Sequence, residues 1–232
     1  IDATIYGNRY TIKAESWPSI AEDAFIWMDF MSIPQPSIVK NGADAQQILE
    51  DMKKAIDSIP AYIERCTHFF AVCPPVIHRE LNTICDYGTW LGRGWCRLEQ
   101  VCLLLARFSN IPAIVVKGGG SPPTMVASNV ACRAVGLGNF TCCARNHRIP
   151  NSDGVEIEIP CDKDAIAPLL LQMLKKRKEY VLGKGDLERF RIWQSATPSL
   201  MRGLTYASVG QPNSVFHRGR LRNRHVQIDG DE

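Results

Sequence analysis

A chain of 232 residues with 45% hydrophobic and 22% charged residues has the composition of a soluble globular protein, as one large domain or one domain with an appendage. No apolar run approaches the roughly 20 residues that span a bilayer, which excludes a helical integral membrane protein. A formal net charge of +3 is too small to argue for nucleic acid by itself. Nine cysteines, an odd number scattered through strand- and helix-like segments, favour reduced thiols over a disulfide framework. A cytoplasmic location is therefore expected. The chain begins at Ile1 without a signal-peptide pattern.

In chain order, Ala3 to Ile12 suits a hairpin turning at Gly7-Asn8. Ala24 to Asp29 is a short aromatic and apolar run that suits a buried strand delivering Asp29 and Ser32 into a loop. Ala45, Ile48, Leu49, Met52, Ala55, Ile56 and Ile59 then form one apolar helical stripe. Asp44 and Gln47 offer a capping box at its start, and Pro60 marks a stop or kink. His68 to Val72 and Ala113 to Val116 suit buried strands. Between them a helix opening at Trp95 buries Leu98, Val101, Cys102 and Leu105.

Residues 117–152 have no firm period and are too long for a structureless loop, so part of them folds as an insertion. Val155 to Ile159 reads as a strand. Ile166, Leu169, Leu170, Met173 and Leu174 mark another helix, with Pro168 tolerable near its first turn. Asp186 to Gln194 suits one more helix, and beyond Pro198 too few large apolar residues remain to offset ordering entropy. Of two basic clusters, Lys175 to Lys178 is expected on a solvated helix end. Arg218, Arg220, Arg222 and Arg224 lie in a polar tail. Nucleic acid is not an expected partner.

Strands alternating with helices of these lengths indicate βαβ units and a parallel sheet. The expected organisation is an N-terminal segment at 1–21, an α/β domain at 22–182 interrupted at about 117–152, and a helix with a flexible basic tail at 183–232. Within it, Trp95 and Glu99 are four residues apart on one helix and share a face. A carboxylate on a helix beside the loop carrying Asp29 and Ser32 is where an open α/β fold builds a site.

The segment Trp95-Cys96-Arg97-Leu98-Glu99 resembles the Trp-Cys-x-x-Glu motif of Toll/interleukin receptor (TIR) domains. Ile26 to Asp29 is similar to the second TIR strand, Ser32 to Asn41 to the loop after it, Ala55 to Ser58 to the end of the next helix, and His68 to Cys73 to the third strand. Trp27-x-Asp29 through Ile33-x-Gln35 also resembles the motif of fungal heterokaryon-incompatibility (HET) domains. The nearest likeness is to TIR-like proteins of protists and algae with Ser-Ile-Pro-Gln and Arg-Gly-Trp-Cys-Arg-x-Glu segments. The resemblance implies a flavodoxin-like parallel sheet with helices on both faces. Nothing before Ala24 matches the first TIR strand, so Ile5 to Ile12 replaces it or that strand lies outside the chain.

The resemblance further implies two functions. In one, the domain hydrolyses NAD, as substrate rather than cofactor, at the nicotinamide–ribose bond. Glu99 is then the catalytic carboxylate, and Trp95, Asp29, Ser32 and Gln35 line the pocket. The chemistry needs no strong general acid, because the cationic nicotinamide leaves neutral; it needs a carboxylate near an oxocarbenium-like ribose. In the other, a non-catalytic module signals by self-association or by binding other TIR-like domains.

Plainer readings stand beside these. Glu99 can be a favourable charge at the positive end of a helix, Trp27 and Trp95 can be core residues, and Asp29 can cap a turn. Cys66, His68, Cys73 and His78 alternate across a strand and do not converge. Cys142 and Cys143 with His147 and either Cys132 or Cys161 can supply four soft ligands that staple the insertion, although the spacing matches no familiar zinc pattern.

Overall fold

The computed structural model describes residues 2–5, 8–34, 42–79, 82–107, 111–129, 132–150 and 154–204. Gln35 with the rest of the 35–41 segment, and the arginines between 218 and 224, lie outside the described residues. The chain is mixed α/β, with a small mixed sheet and several helices.

The N-terminal hairpin pairs β1 (Asp2–Ile5) with β2 (Asn8–Thr11). Asn8 stands opposite Ile5 and so belongs to the second strand rather than to the turn. Helix α1 (Trp17–Glu22) follows. Residues 24–28 then form no strand, and Asp29 opens the short helix α2 (Asp29–Ser32). An apolar run is buried as a strand only where a sheet edge pairs with it, which periodicity alone cannot decide. Here Phe25 and Ile26 are 104% and 84% exposed. Only Trp27 turns inward, stacking on Tyr62 with ring centroids 5.5 Å apart.

Helix α3 (Gly42–Arg65) is longer than its stripe suggests, because it runs through Pro60. A proline inside a helix costs about 3 kcal/mol, and here Ile59 and Ile63 on either side of it are both core residues. Gln47 does not complete a capping box: its amide donates forward to Asp51 at 3.1 Å. Strand β3 (Phe69–Val72) follows, then a small hairpin of β4 (Val76–Ile77) and β5 (Ile84–Cys85). Helix α4 (Tyr87–Gly92) is opened by a reciprocal capping box between Asp86 and Thr89. Next come α5 (Gly94–Leu105) and β6 (Ala113–Val116).

Strands β3 and β6 pair in parallel, Phe69 opposite Ala113, as the βαβ pattern requires. The third strand of the sheet, β7 (Thr124–Val126), is antiparallel to β6 and comes from the segment expected as an insertion. Helix α6 (Thr141–Ala144) leads into β8 (Arg148–Pro150), which among the described residues pairs only with β9 (Glu156–Glu158), apart from the main sheet. The long helices α7 (Asp162–Gly183) and α8 (Leu187–Leu200) end the described chain. Asp186 caps α8 by accepting the Arg189 N–H at 3.0 Å. No helix among the described residues is long and apolar enough to cross a membrane.

The core gathers around α5. Leu98, Val101, Cys102 and Leu105 are buried as their spacing predicts, against Ile59 and Ile63 of α3 and Ile166, Leu170 and Leu174 of α7. Pro168 lies past the first turn of α7, again inside an otherwise well-packed helix. Leu200, Met201 and Leu204, beyond Pro198, join the same core. Arg177 departs from its basic cluster: its guanidinium caps α5 by donating to the Ala106 carbonyl at 3.0 Å and stacks over Trp193.

The turn after α8 is locked by a close backbone approach. A methyl group at Gly136 would strike the backbone of Gly203 and Leu204, and Gly203 holds φ of +80°, where glycine carries no steric penalty. Gly136→Ala is expected to cost about 1–3 kcal/mol or more by overpacking. The midpoint of urea unfolding measures it, and an unchanged midpoint would mean that this approach is not part of the native state.

Candidate functional site

The Trp95-to-Glu99 segment forms the first turns of α5, and each residue has a distinct partner. Trp95 packs against the core, and its indole N–H donates to the Asp162 carboxylate at 2.9 Å. The indole thus ties α5 to the start of α7. Cys96 is buried, and its thiol is pushed up to about 12 by burial first and by the Glu99 carboxylate second. Arg97 donates from Nε to the Leu91 carbonyl at 2.8 Å and from Nη1 to the Ala134 carbonyl at 3.0 Å, clamping α4 and the 134–137 turn onto α5. Leu98 is core.

Glu99 is the exception, a carboxyl group buried to 9% exposure on an otherwise apolar face. Its pKa is raised to about 8, by burial first and by the Asp29 carboxylate second, with the Arg93 guanidinium opposing both. A charged carboxylate loses hydration in such a site, so the neutral form is favoured. Among the described residues no hydrogen bond reaches the Glu99 side chain, so water exclusion and a neighbouring like charge set its state. Asp29 is exposed where Glu99 is buried.

The charge of Asp29 acts on Glu99 without the strand that the sequence suggests. Helix α2 carries Asp29 instead. The Ser32 hydroxyl accepts the Met28 N–H at 3.3 Å and the Asp29 carbonyl accepts the Ile33 N–H at 3.0 Å, fixing the turn that Asp29 begins. Ser32 thus helps to close this turn, and the Trp95 indole N–H is held by Asp162. Gln35 lies outside the described residues.

Two neighbours escape a reading of the sequence. Arg93 supplies a positive charge that opposes the rise at Glu99, yet nothing in its spacing marks it. Gln100, 2% exposed, buries both amide atoms without a partner among the described residues, and the Tyr87 hydroxyl is likewise buried without one there. Tyr87 is near enough to feel the Gln100 amide, but the geometry of a hydrogen bond between them is not met. A glutamine beside a glutamate inside an apolar helix run was the available signal.

A cavity of about 170 Å³ lies elsewhere, between Tyr10, Ile12, His68, Pro112 and Met125. None of the candidate residues lines it, and it is smaller than the roughly 300 Å³ at which ligand pockets begin. At the far side of the Trp95–Asp162 bond, Cys142, Cys143, His147 and Cys161 converge, with all four ligand atoms within 4.8 Å of one another. Cys132 is not among them; it packs against the core. All nine cysteines are free thiols. The chain matches no family model, no curated protein and no solved structure.

Proposed function

We propose that the chain is a TIR-like signalling module that hydrolyses NAD at the nicotinamide–ribose bond, with Glu99 as its key carboxylate. In this reading the β3/β6 parallel pair belongs to a flavodoxin-like arrangement, and the free thiols fit a cytoplasmic setting. The observation that carries the proposal is the buried Glu99 carboxyl, 9% exposed, whose pKa is raised by burial and by the charge of Asp29, two residues that the family resemblance assigns to one site. A buried carboxyl with a strongly raised pKa beside a second carboxyl is a functional-site signature.

The chemistry follows from the charges. Glu99 is mostly neutral in the free chain at pH 7. A cationic nicotinamide ring beside it favours the carboxylate and draws the proton off. The bond between ribose C1′ and the ring nitrogen then breaks, and its electron pair stays on the departing neutral nicotinamide. Glu99 stabilises the electron-poor C1′ until water adds there and releases a proton to solvent. Asp29, on the exposed side, orients the ribose hydroxyls. Glu99→Gln should lower nicotinamide release by about 10²–10⁴-fold while the protein stays folded, the range seen for single electrostatic or acid–base groups. Equal release by wild type and variant would remove Glu99 from the reaction.

A non-catalytic assembly module is the second reading, favoured by Phe25, Ile26, Met28 and Met31. These large apolar side chains are exposed within one short stretch, and contiguous apolar surface of this kind marks interaction sites. It calls for self-association or docking to other TIR-like domains. Sedimentation of wild type and Ile26→Ser separates the readings: assembly lost in the variant, without nicotinamide release by either protein, supports the second.

A further inference from the structure

We propose that Cys142, Cys143, His147 and Cys161 bind one zinc ion as a closed structural site. The Cys143 sulfur lies 3.8 Å from that of Cys142, 3.7 Å from that of Cys161 and 3.7 Å from the His147 Nε2. A tetrahedral zinc with Zn–S of about 2.3 Å and Zn–N of about 2.0 Å separates its sulfurs by about 3.8 Å, and sulfur from nitrogen by about 3.6 Å. The three separations from Cys143 match those values, and all four ligand atoms lie within 4.8 Å of one another. The separations are also far beyond the roughly 2.05 Å of an S–S bond.

The backbone brings these groups together from three elements. Cys142 and Cys143 sit on α6, His147 follows a turn, and Cys161 precedes the first residue of α7. Asn146 and His147 both hold positive φ, +51° and +59°, a conformation that non-glycine residues keep only where surrounding structure enforces it. That turn is closed by the His147 N–H donating to the Cys142 carbonyl at 2.7 Å. The Asp162 N–H donates to the Cys142 sulfur at 3.4 Å, the kind of outer contact that orients metal-bound thiolates. Three thiolates, one neutral imidazole and a dication leave one negative charge, and the positive end of α7 lies beside it.

Three soft sulfurs and an imidazole in tetrahedral array select zinc among common divalent ions. Four protein ligands leave no open position, so the role is structural rather than catalytic. What the ion holds is specific. The neighbouring β8/β9 hairpin has three-residue strands and, among the described residues, no third strand, too little to be stable by itself. The metal would fasten it to α7, and through Asp162 it would fix the indole of Trp95. Zinc loss is therefore transmitted to the first turn of α5.

The test uses the full chain, purified reduced and without chelators. Elemental analysis should find one zinc per chain. Cobalt(II) added to the stripped protein should give thiolate-to-cobalt charge transfer and intense tetrahedral ligand-field bands that saturate at one equivalent and bleach when zinc is added. Cys143→Ala should lose both zinc and these bands, Cys85→Ala should keep them, and His147→Cys should keep zinc while shifting the cobalt bands toward those of a four-thiolate site. Because the wild-type titration needs no variant, a misfolded Cys143→Ala leaves the proposal testable. Absence of zinc and of cobalt bands in the reduced wild type would overturn it, as would a Cys143–Cys161 disulfide in the freshly isolated protein.

Discussion

Glu99→Gln is expected to stabilise the chain relative to wild type by an amount that grows with pH. Below pH 4.5, the ordinary glutamate value, the carboxyl is protonated in both folded and unfolded states and contributes no pH-dependent difference. Between 4.5 and about 8 the unfolded chain ionises Glu99 while the folded chain retains the proton. The folded state then binds more protons than the unfolded state, so wild-type stability falls as pH rises. At 1.36 kcal/mol per pH unit, the loss above pH 8 is roughly 5 kcal/mol. Glutamine has no proton to lose, and burying its amide adds only a pH-independent offset. Urea unfolding of both proteins at pH 5, 6.5 and 8.5 measures the divergence. Parallel curves would show that Glu99 is not held neutral in the folded state. Asp29→Asn should shrink the divergence, because the Asp29 charge contributes to raising Glu99.

Phe140→Ala should lower global stability by about 3–5 kcal/mol, the range for deleting a buried aromatic ring. Phe140 lies in the 117–152 segment, yet its ring fills the space where a side chain at Gly94 would stand, and it belongs to the same buried cluster as α5 and α7. If the segment were an autonomous insertion, the substitution would melt it locally and leave a second, unaltered transition. A single cooperative unfolding curve shifted as a whole is the expected result, read by circular dichroism and tryptophan fluorescence together.

Much of the helical architecture is legible in the sequence because a 3.6-residue period states which face is buried. Leu98, Val101 and Cys102 on α5, and Ile166 and Leu170 on α7, follow from spacing alone. The parallel partnership of Phe69–Val72 with Ala113–Val116 follows from strands separated by a helix. Ala24 to Met28 does not, because a short apolar run carries no information about whether a sheet edge is there to receive it. Pro60 and Pro168 mislead: the first is expected to stop or kink a helix and the second to sit near a first turn, and each lies well inside a helix.

Burial at Leu200, Met201 and Leu204 is equally invisible in sequence. It depends on Gly136 meeting Gly203, a contact between distant residues with no periodic trace. Within the candidate site, Glu99 and Asp29 stand out in the sequence as carboxyl groups, whereas the opposing charge of Arg93 and the anchoring of Trp95 on Asp162 are properties of tertiary geometry. The cysteine cluster is half legible: its soft side chains stand out, but the choice of Cys161 over Cys132 rests on where α7 begins.

The measurement that bears most directly on the proposed activity is the pH dependence of kcat/KM for nicotinamide release from NAD, made on concentrated wild type with Glu99→Gln beside it. This quantity reports ionisations of the free protein. If the ionised Glu99 carboxylate is the working form, it rises with pH to a plateau, half-maximal near the pKa of about 8 that burial and Asp29 impose, and the variant is flat and low throughout. No release by wild type at any pH, or a variant with the wild-type profile, contradicts the assignment.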